Sequence, residues 1–186
     1  MSAEVPGIID FQLYLLNTMD APRELLHGAL TVLRVDAATV DGRAEHASQL
    51  LRPRPGLAQE LRAVLATAGT PGSAASGADG SAGPAYYSFA AWPELRFQVE
   101  FDPSGFALAR AGFVRARAGS APAEVAPWKF LTADLETGFD EVEEVDVWGH
   151  YETYTATDAA TGERCFLRFG WGLLQEVGPV QPDGRG

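Results

Sequence analysis

The feature that most constrains the fold is a change in the spacing of apolar side chains partway along the chain. Up to residue 68 they recur every three or four residues, which is the period of an amphipathic helix. From residue 86 they alternate with polar residues, most plainly over residues 95–101, which is the period of a half-buried strand. The change predicts an α+β protein that is helical in its first third and β-rich afterwards.

We predict four helices before residue 69. The first covers residues 8–19 and the second covers residues 22–33, although Gly28 and several β-branched neighbours also allow a break into a short strand. The third and fourth cover residues 43–51 and 57–68. Two prolines separate them, and each proline disfavours helix in the residue before it.

Residues 69–85 have the composition of a flexible linker or a long loop. Their only apolar side chains are those of alanine and proline, so burial cannot offset the entropy that is lost on ordering. A helical part of about 68 residues makes a marginal core by itself. We therefore expect residues 1–68 and 86–178 to pack as one composite domain, with residues 179–186 as a disordered tail.

The β part is predicted to form one mainly antiparallel sheet of five or six strands, with the N-terminal helices packed on one side of it. Strands are expected over residues 86–92, 95–101, 106–114, 128–131, 145–157 and 164–174. The last two strands form a hairpin through a turn at residues 158–162.

Two registers are open for this last hairpin. The preferred register places Glu152 opposite Arg168 and Trp148 opposite Gly172, which gives a charge pair and an aromatic ring over a glycine. The core face then carries Val145, Val147, Tyr151, Thr153, Thr155, Cys165, Leu167, Phe169, Trp171 and Leu173. The other face carries Trp148, His150, Glu152, Tyr154, Phe166 and Arg168. A slip by one residue exchanges the faces of one strand and loses both pairings.

Negative charge is concentrated near the C-terminus. The chain has 25 acidic and 14 basic residues, and residues 132–186 contain 12 of the acids but only three of the bases. Because a surface with a net charge of −11 repels phosphates, we expect no nucleic-acid binding. The acids of residues 134–146 do not match a calcium loop, since the sixth and twelfth positions are Phe139 and Val145. We expect a solvated acidic loop or helix face there.

Composition also bears on the cellular setting. Cys165 is the only cysteine, which precludes an intrachain disulfide and metal sites built from several thiolates. Residues 1–7 lack the basic residues of a signal peptide, and no segment approaches the roughly 18 uninterrupted apolar residues of a membrane span. We expect a cytoplasmic protein without membrane contact. Its alanine, glycine and arginine content is typical of a GC-rich bacterial genome.

The chain has few candidates for catalysis. His27, His46 and His150 lack metal-binding spacing, and Cys165 faces away from His150 in the preferred register. The sequence contains no nucleophile elbow, phosphate-binding loop or dinucleotide fingerprint. We therefore predict no metal and no cofactor, and an enzyme is disfavoured.

These features favour a non-catalytic acidic protein that binds a basic protein partner, for example a bacterial inhibitor or immunity protein. The predicted partner-binding residues are Asp140, Glu141, Glu143, Glu144, Asp146, Trp148, His150, Glu152, Tyr154 and Arg168. One alternative is a small-molecule-binding protein or small enzyme with a pocket at the helix–sheet interface, near His150, Glu152, Tyr154 and Arg168. His150 and Glu152 would then act as general acid and base. Another is a structural subunit of a larger assembly.

Overall fold

The computed structural model describes residues 7–67, 83–117, 122 and 124–180. The described chain divides into two compact units, which we consider separately. Unit 1 comprises residues 1–18 and 23–116, and unit 2 comprises residues 19–22 and 117–186. Most of the predicted linker and most of the predicted tail lie outside the described residues, and the composite-domain organisation stays a prediction.

Unit 1 contains four helices and a three-stranded antiparallel sheet. The helices are α1 (Ile8–Thr18), α2 (Arg23–Leu33), α3 (Val40–Ser48) and α4 (Leu57–Ala66). The strands are β1 (Ala85–Phe89), β2 (Trp92–Phe101) and β3 (Leu108–Arg115), in the order β1-β2-β3. Helices α1, α2 and α4 match the predicted segments to within two residues, and α2 is continuous through Gly28. Helix α3 begins and ends three residues before the predicted segment 43–51.

Aromatic rings join the first helix of unit 1 to its sheet. The ring of Phe11 in α1 lies 6.0 Å from that of Phe89 and 5.7 Å from that of Phe97. Phe97 in turn meets Phe113 of β3 edge-on at 5.1 Å. Phe11 and Phe97 are almost completely buried, so the two periods seen in the sequence meet in one hydrophobic core.

Unit 2 is built on a four-stranded antiparallel meander. Its strands are β4 (Phe139–Trp148), β5 (Tyr151–Asp158), β6 (Arg164–Gly170) and β7 (Leu173–Pro179), in the order β4-β5-β6-β7. A short helix, α5 (Leu135–Gly138), precedes β4. The α+β class is therefore confirmed, but the prediction of a single sheet of five or six strands is wrong, because the strands form two separate sheets.

Two tight turns explain why the last predicted strands were too long. Gly149 has a φ of 63° and separates β4 from β5, whereas Trp171 and Gly172 have φ values of 57° and 72° and separate β6 from β7. Consecutive left-handed residues suit a two-residue hairpin turn. Each of the predicted strands 145–157 and 164–174 is thus interrupted, and the predicted turn at residues 158–162 is confirmed, with Gly162 N–H donating to the Asp158 carbonyl at 2.8 Å.

The core of unit 2 lies on one face of the meander. We call this the core face, and its cluster consists of Phe130, Leu135, Phe139, Ala156, Leu167, Phe169 and Leu174. The opposite face carries Thr153, Thr155 and Thr157, and we call it the threonine face. Residues 128–131 do not form the predicted strand, but the Trp128 N–H donates to the Leu174 carbonyl at 2.9 Å along the edge of β7.

Candidate functional site: an acidic edge strand

The acidic stretch forms an edge strand instead of the predicted loop or helix face. Among the described strands, β4 pairs with β5 alone, and nine of its ten residues are exposed. We call β4 with its five acids the acidic edge. Those acids are Asp140, Glu141, Glu143, Glu144 and Asp146. The prediction failed because a strand was expected only where apolar and polar residues alternate. An exposed edge strand does not need this alternation, since backbone hydrogen bonds to the neighbouring strand hold it in place.

Two bulges interrupt the pairing of β4 with β5. The register shifts between Asp140 and Glu143 and again between Glu144 and Asp146, and Glu141 has a φ of 49°. An extra residue in a bulge moves the following side chain to the other face of the strand. Together with their charges, the bulges protect this open edge against pairing with another strand.

The bulges bring three acids onto the threonine face. Asp140 lies opposite Thr157, Glu143 opposite Thr155, and Asp146 opposite Thr153. Directly opposed residues of an antiparallel pair share a face. The three acids are therefore in line although they are three residues apart in the sequence, and Glu144 lies opposite Tyr154 on the core face.

Few cations neutralise the acidic edge. Among the described residues, the ion pair that the edge makes joins Glu143 to Arg164 at 3.0 Å, and both side chains are more than half exposed. The Thr157 hydroxyl donates to Glu141 at 3.1 Å. An exposed pair of this kind contributes about 1 kcal/mol or less. Unit 2 as a whole has 14 acidic and five basic residues, a net charge of −9, so it attracts cations strongly.

Apolar side chains are exposed along the same strand. Trp148, at the end of β4, is 77% exposed, Val145 is 58% exposed and Val147 is 49% exposed. Trp148 lies opposite Tyr151 and therefore on the threonine face, beyond Asp146. Large exposed aromatic rings beside charged groups are typical of surfaces that bind other proteins.

The observed register separates residues that the preferred register had placed together. Glu152 lies opposite Phe169, and Arg168 lies opposite Thr153, so the predicted Glu152–Arg168 pair is wrong. Arg168 instead forms ion pairs with Asp20 at 2.9 Å and Glu176 at 2.7 Å. The structure has the register slipped by one residue, because the turn between β5 and β6 closes with Asp158 opposite Glu163, where the Asp158 N–H donates to the Glu163 carbonyl at 2.9 Å.

Tyr154 and Glu152 belong to the core face. The Tyr154 ring packs edge-on against Phe169 at 5.8 Å, and its hydroxyl donates to Glu152 at 3.0 Å. Burial, followed by the nearby carboxylates of Glu152 and Glu144, raises the pKa of Tyr154 to about 12. These contacts give both residues a structural role beside the core.

His150 lies in the turn between β4 and β5. Its ring stacks on Trp171 at 4.4 Å with an interplanar angle of 7°, and the Trp171 N–H donates to the His150 carbonyl at 2.8 Å. The stack joins the two neighbouring turns at this end of the meander. His150 is close to the acidic edge in sequence, but its ring is engaged by the neighbouring turn.

No group of three or more potential metal ligands occurs in the part of the chain that the structure describes. Burial, with a smaller effect from Asp158, raises the pKa of the Cys165 thiol, which favours the unreactive protonated form. A groove beside Cys165 is lined by Arg164, Val177 and Pro179 among others, but not by His150, Glu152, Tyr154 or Arg168.

No described helix is long and apolar enough to cross a membrane.

The sequence contained a signal for the threonine-face alignment that periodicity alone does not detect. Acids and valines recur together at a spacing of three in the segment Asp140–Trp148, which fits neither a regular strand nor a regular helix. A strand with an inserted residue at each repeat accounts for this spacing.

Comparison with protein-family models, with curated proteins and with solved structures finds no match to the chain.

Proposed function

We propose that this chain is a non-catalytic acidic binding protein and that its acidic edge engages a basic protein partner. The observation that carries the proposal is the exposure of Trp148, 77% accessible, on the same face as three acids of β4. Opposite charges on a partner would accelerate encounter, and the indole would supply a contact area that becomes buried.

The distribution of exposed side chains supports a contact on β4 more than a contact through all the predicted partner-binding residues. Asp140, Glu141, Glu143, Glu144 and Asp146 are all exposed, as is Trp148. Glu152, Tyr154 and Arg168 are half-buried and already hold intramolecular partners. We therefore propose that the contact lies on β4. Glu152 and Tyr154 lie on the core face, and Arg168 is engaged by Asp20 and Glu176. A bacterial inhibitor or immunity protein would use such a surface against a cationic target.

The proposal is tested by capture from the source cell followed by direct titration. The unaltered chain and a Trp148→Ala variant are used as baits at low and at high salt. Any protein that the unaltered chain retains at low salt is then purified and titrated with both baits at low and at high salt. Weaker binding to the variant and weaker binding at high salt support the proposal. Charge reversal at Glu141, Glu143 and Glu144 should weaken this complex, because each removes an attraction and adds a repulsion.

The control bait is a Val32→Ala variant, since Val32 is an exposed apolar residue of unit 1 and is 56% exposed. This variant should capture the same protein as the unaltered chain. A partner whose affinity ignores salt, Trp148→Ala and the charge reversals would show that the acidic edge is not the binding surface.

A further inference from the structure

The threonine face presents its groups in a fixed order at the edge of unit 2. The rows are Asp140 with Thr157, Glu143 with Thr155, Asp146 with Thr153 and Trp148 with Tyr151. Successive rows are two β5 residues apart, a distance of about 6.5–7 Å. The edge therefore offers acidic residues at three evenly spaced positions of the threonine face, followed by one exposed indole. The Glu141 carboxylate also reaches the first row, where it accepts a hydrogen bond from the Thr157 hydroxyl.

Even spacing over four rows suits an extended partner segment better than a helix. Side chains on one face of an extended chain recur every second residue, at the same distance of about 6.5–7 Å. Residues i, i+4, i+7 and i+11 of a helix share one face, but they span only about 16.5 Å in uneven steps of about 6 and 4.5 Å, whereas the four rows span about 20 Å in equal steps. A strand-like segment can meet all four rows at once.

We propose that the occupant of the acidic edge is an extended segment of the basic partner with cationic side chains at three alternate positions and an apolar side chain at the fourth. This inference rests on the proposed function and adds the order and spacing of the groups that are recognised. The cations meet Asp140, Glu143 and Asp146, and the apolar side chain meets Trp148.

Recognition depends on side chains because β4 is a poor template for backbone pairing. Its two bulges interrupt the strand around residues 141–142 and 145, so a continuous fifth strand has no regular ladder to extend. The side chains, in contrast, are open to solvent, and Val145 and Val147 add exposed apolar surface beside the acids.

The existing ion pair at the edge does not obstruct this partner. Glu143 and Arg164 are joined at 3.0 Å, with side-chain exposures of 69% and 55%. Because an exposed pair is worth little, a cation from the partner can replace Arg164 at a small cost. Among the described residues, Asp140 and Asp146 form no ion pair that would have to be broken.

Two synthetic peptides of equal composition test the proposal by fluorescence anisotropy against the full chain. The first alternates three arginines with threonines and ends in leucine, and the second has the three arginines together, then the three threonines and the leucine. We expect the alternating peptide to bind about ten-fold more tightly at low salt, because it alone can meet the four rows together.

A matched pair of double variants removes the same charge from the threonine face and from a surface outside the acidic edge. Asp140→Asn with Asp146→Asn changes the threonine face, whereas Glu136→Gln with Glu163→Gln changes exposed acids of unit 2 outside β4. The first double variant should abolish the preference for the alternating peptide, and the second should preserve it. Circular dichroism checks that both variants keep the fold.

The outcomes separate this inference from the proposed function. If the two peptides bind equally and with the same salt dependence, the ordered recognition is refuted, but the proposal of a basic partner is not. Loss of the preference in both double variants would likewise overturn the ordered recognition, because net charge alone would then explain the binding. A captured partner that is indifferent to salt and to Trp148→Ala would instead refute the proposed function itself.

Discussion

Replacing Trp148 by alanine should leave the fold almost unchanged, and the size of the effect follows from the exposure of the ring. The residue is 77% exposed, so folding removes roughly a quarter of its surface from water. For a tryptophan of about 250 Å² this is about 60 Å², or about 1.5 kcal/mol at 25 cal/mol per Å². Because alanine retains part of that burial and the unfolded chain is partly compact, we expect a loss below about 1 kcal/mol.

Phe169 is the internal standard for this measurement. It is completely buried in the core of unit 2 and contacts Tyr154 edge-on. Truncation of such a phenylalanine to alanine typically costs about 3–5 kcal/mol, since it removes apolar burial and leaves a cavity. The Phe169→Ala variant should therefore show a much lower urea midpoint than Trp148→Ala.

Urea denaturation of the three proteins, followed by far-ultraviolet circular dichroism, measures both effects. The midpoint of Trp148→Ala should lie close to that of the unaltered chain, and its affinity for the captured partner should nevertheless fall. A loss of more than about 2 kcal/mol in the free energy of unfolding would show that the indole is packed within the protein. The reasoning that assigns Trp148 to a partner would then be refuted.

Three further predictions concern unit 2. Gly178→Val should lower the urea midpoint, because a Cβ at this position would come within 2.7 Å of the Phe166 ring; an unchanged midpoint would show that the ring moves aside freely. The free energy of unfolding should fall as the pH rises from 10 towards 12, because the pKa of Tyr154 is about 12 in the folded state and 10.0 in the unfolded chain. The Tyr154→Phe variant should show a smaller fall over the same pH range. Cys165 should react slowly with a thiol reagent at pH 8 and quickly in urea, because burial raises its pKa in the folded state; equal rates would contradict its burial.

The local features of the chain were predictable because they depend on neighbouring residues. The stripe in residues 57–66 forms α4, and the alternation in residues 95–101 lies within β2. The turn that begins at Asp158 was also predictable, since its carboxylate accepts hydrogen bonds from the N–H groups of Ala160 and Thr161. The same backbone hydrogen bonds lower the pKa of Asp158.

The arrangement of the candidate site was only partly predictable. The concentration of acids next to Trp148 can be counted in the sequence, and both features are exposed in the structure. The partnership of Glu152 with Arg168 could not be inferred correctly, because a single-residue shift of register exchanges which side chains share a face. Arg168 instead meets Asp20, a residue almost 150 positions away along the chain.

The sequence by itself determined the class of most local elements, the position of the turn at residues 158–162 and the excess of negative charge near the C-terminus. These properties depend on hydrophobic period, turn chemistry and composition, all of which act over a few residues. Tertiary structure decided that the strands form two sheets, that β4 is an edge, and that bulges align Asp140, Glu143 and Asp146 on one face. Strand pairing is non-local, and the choice among registers depends on which partner strand and which turns hold the chain.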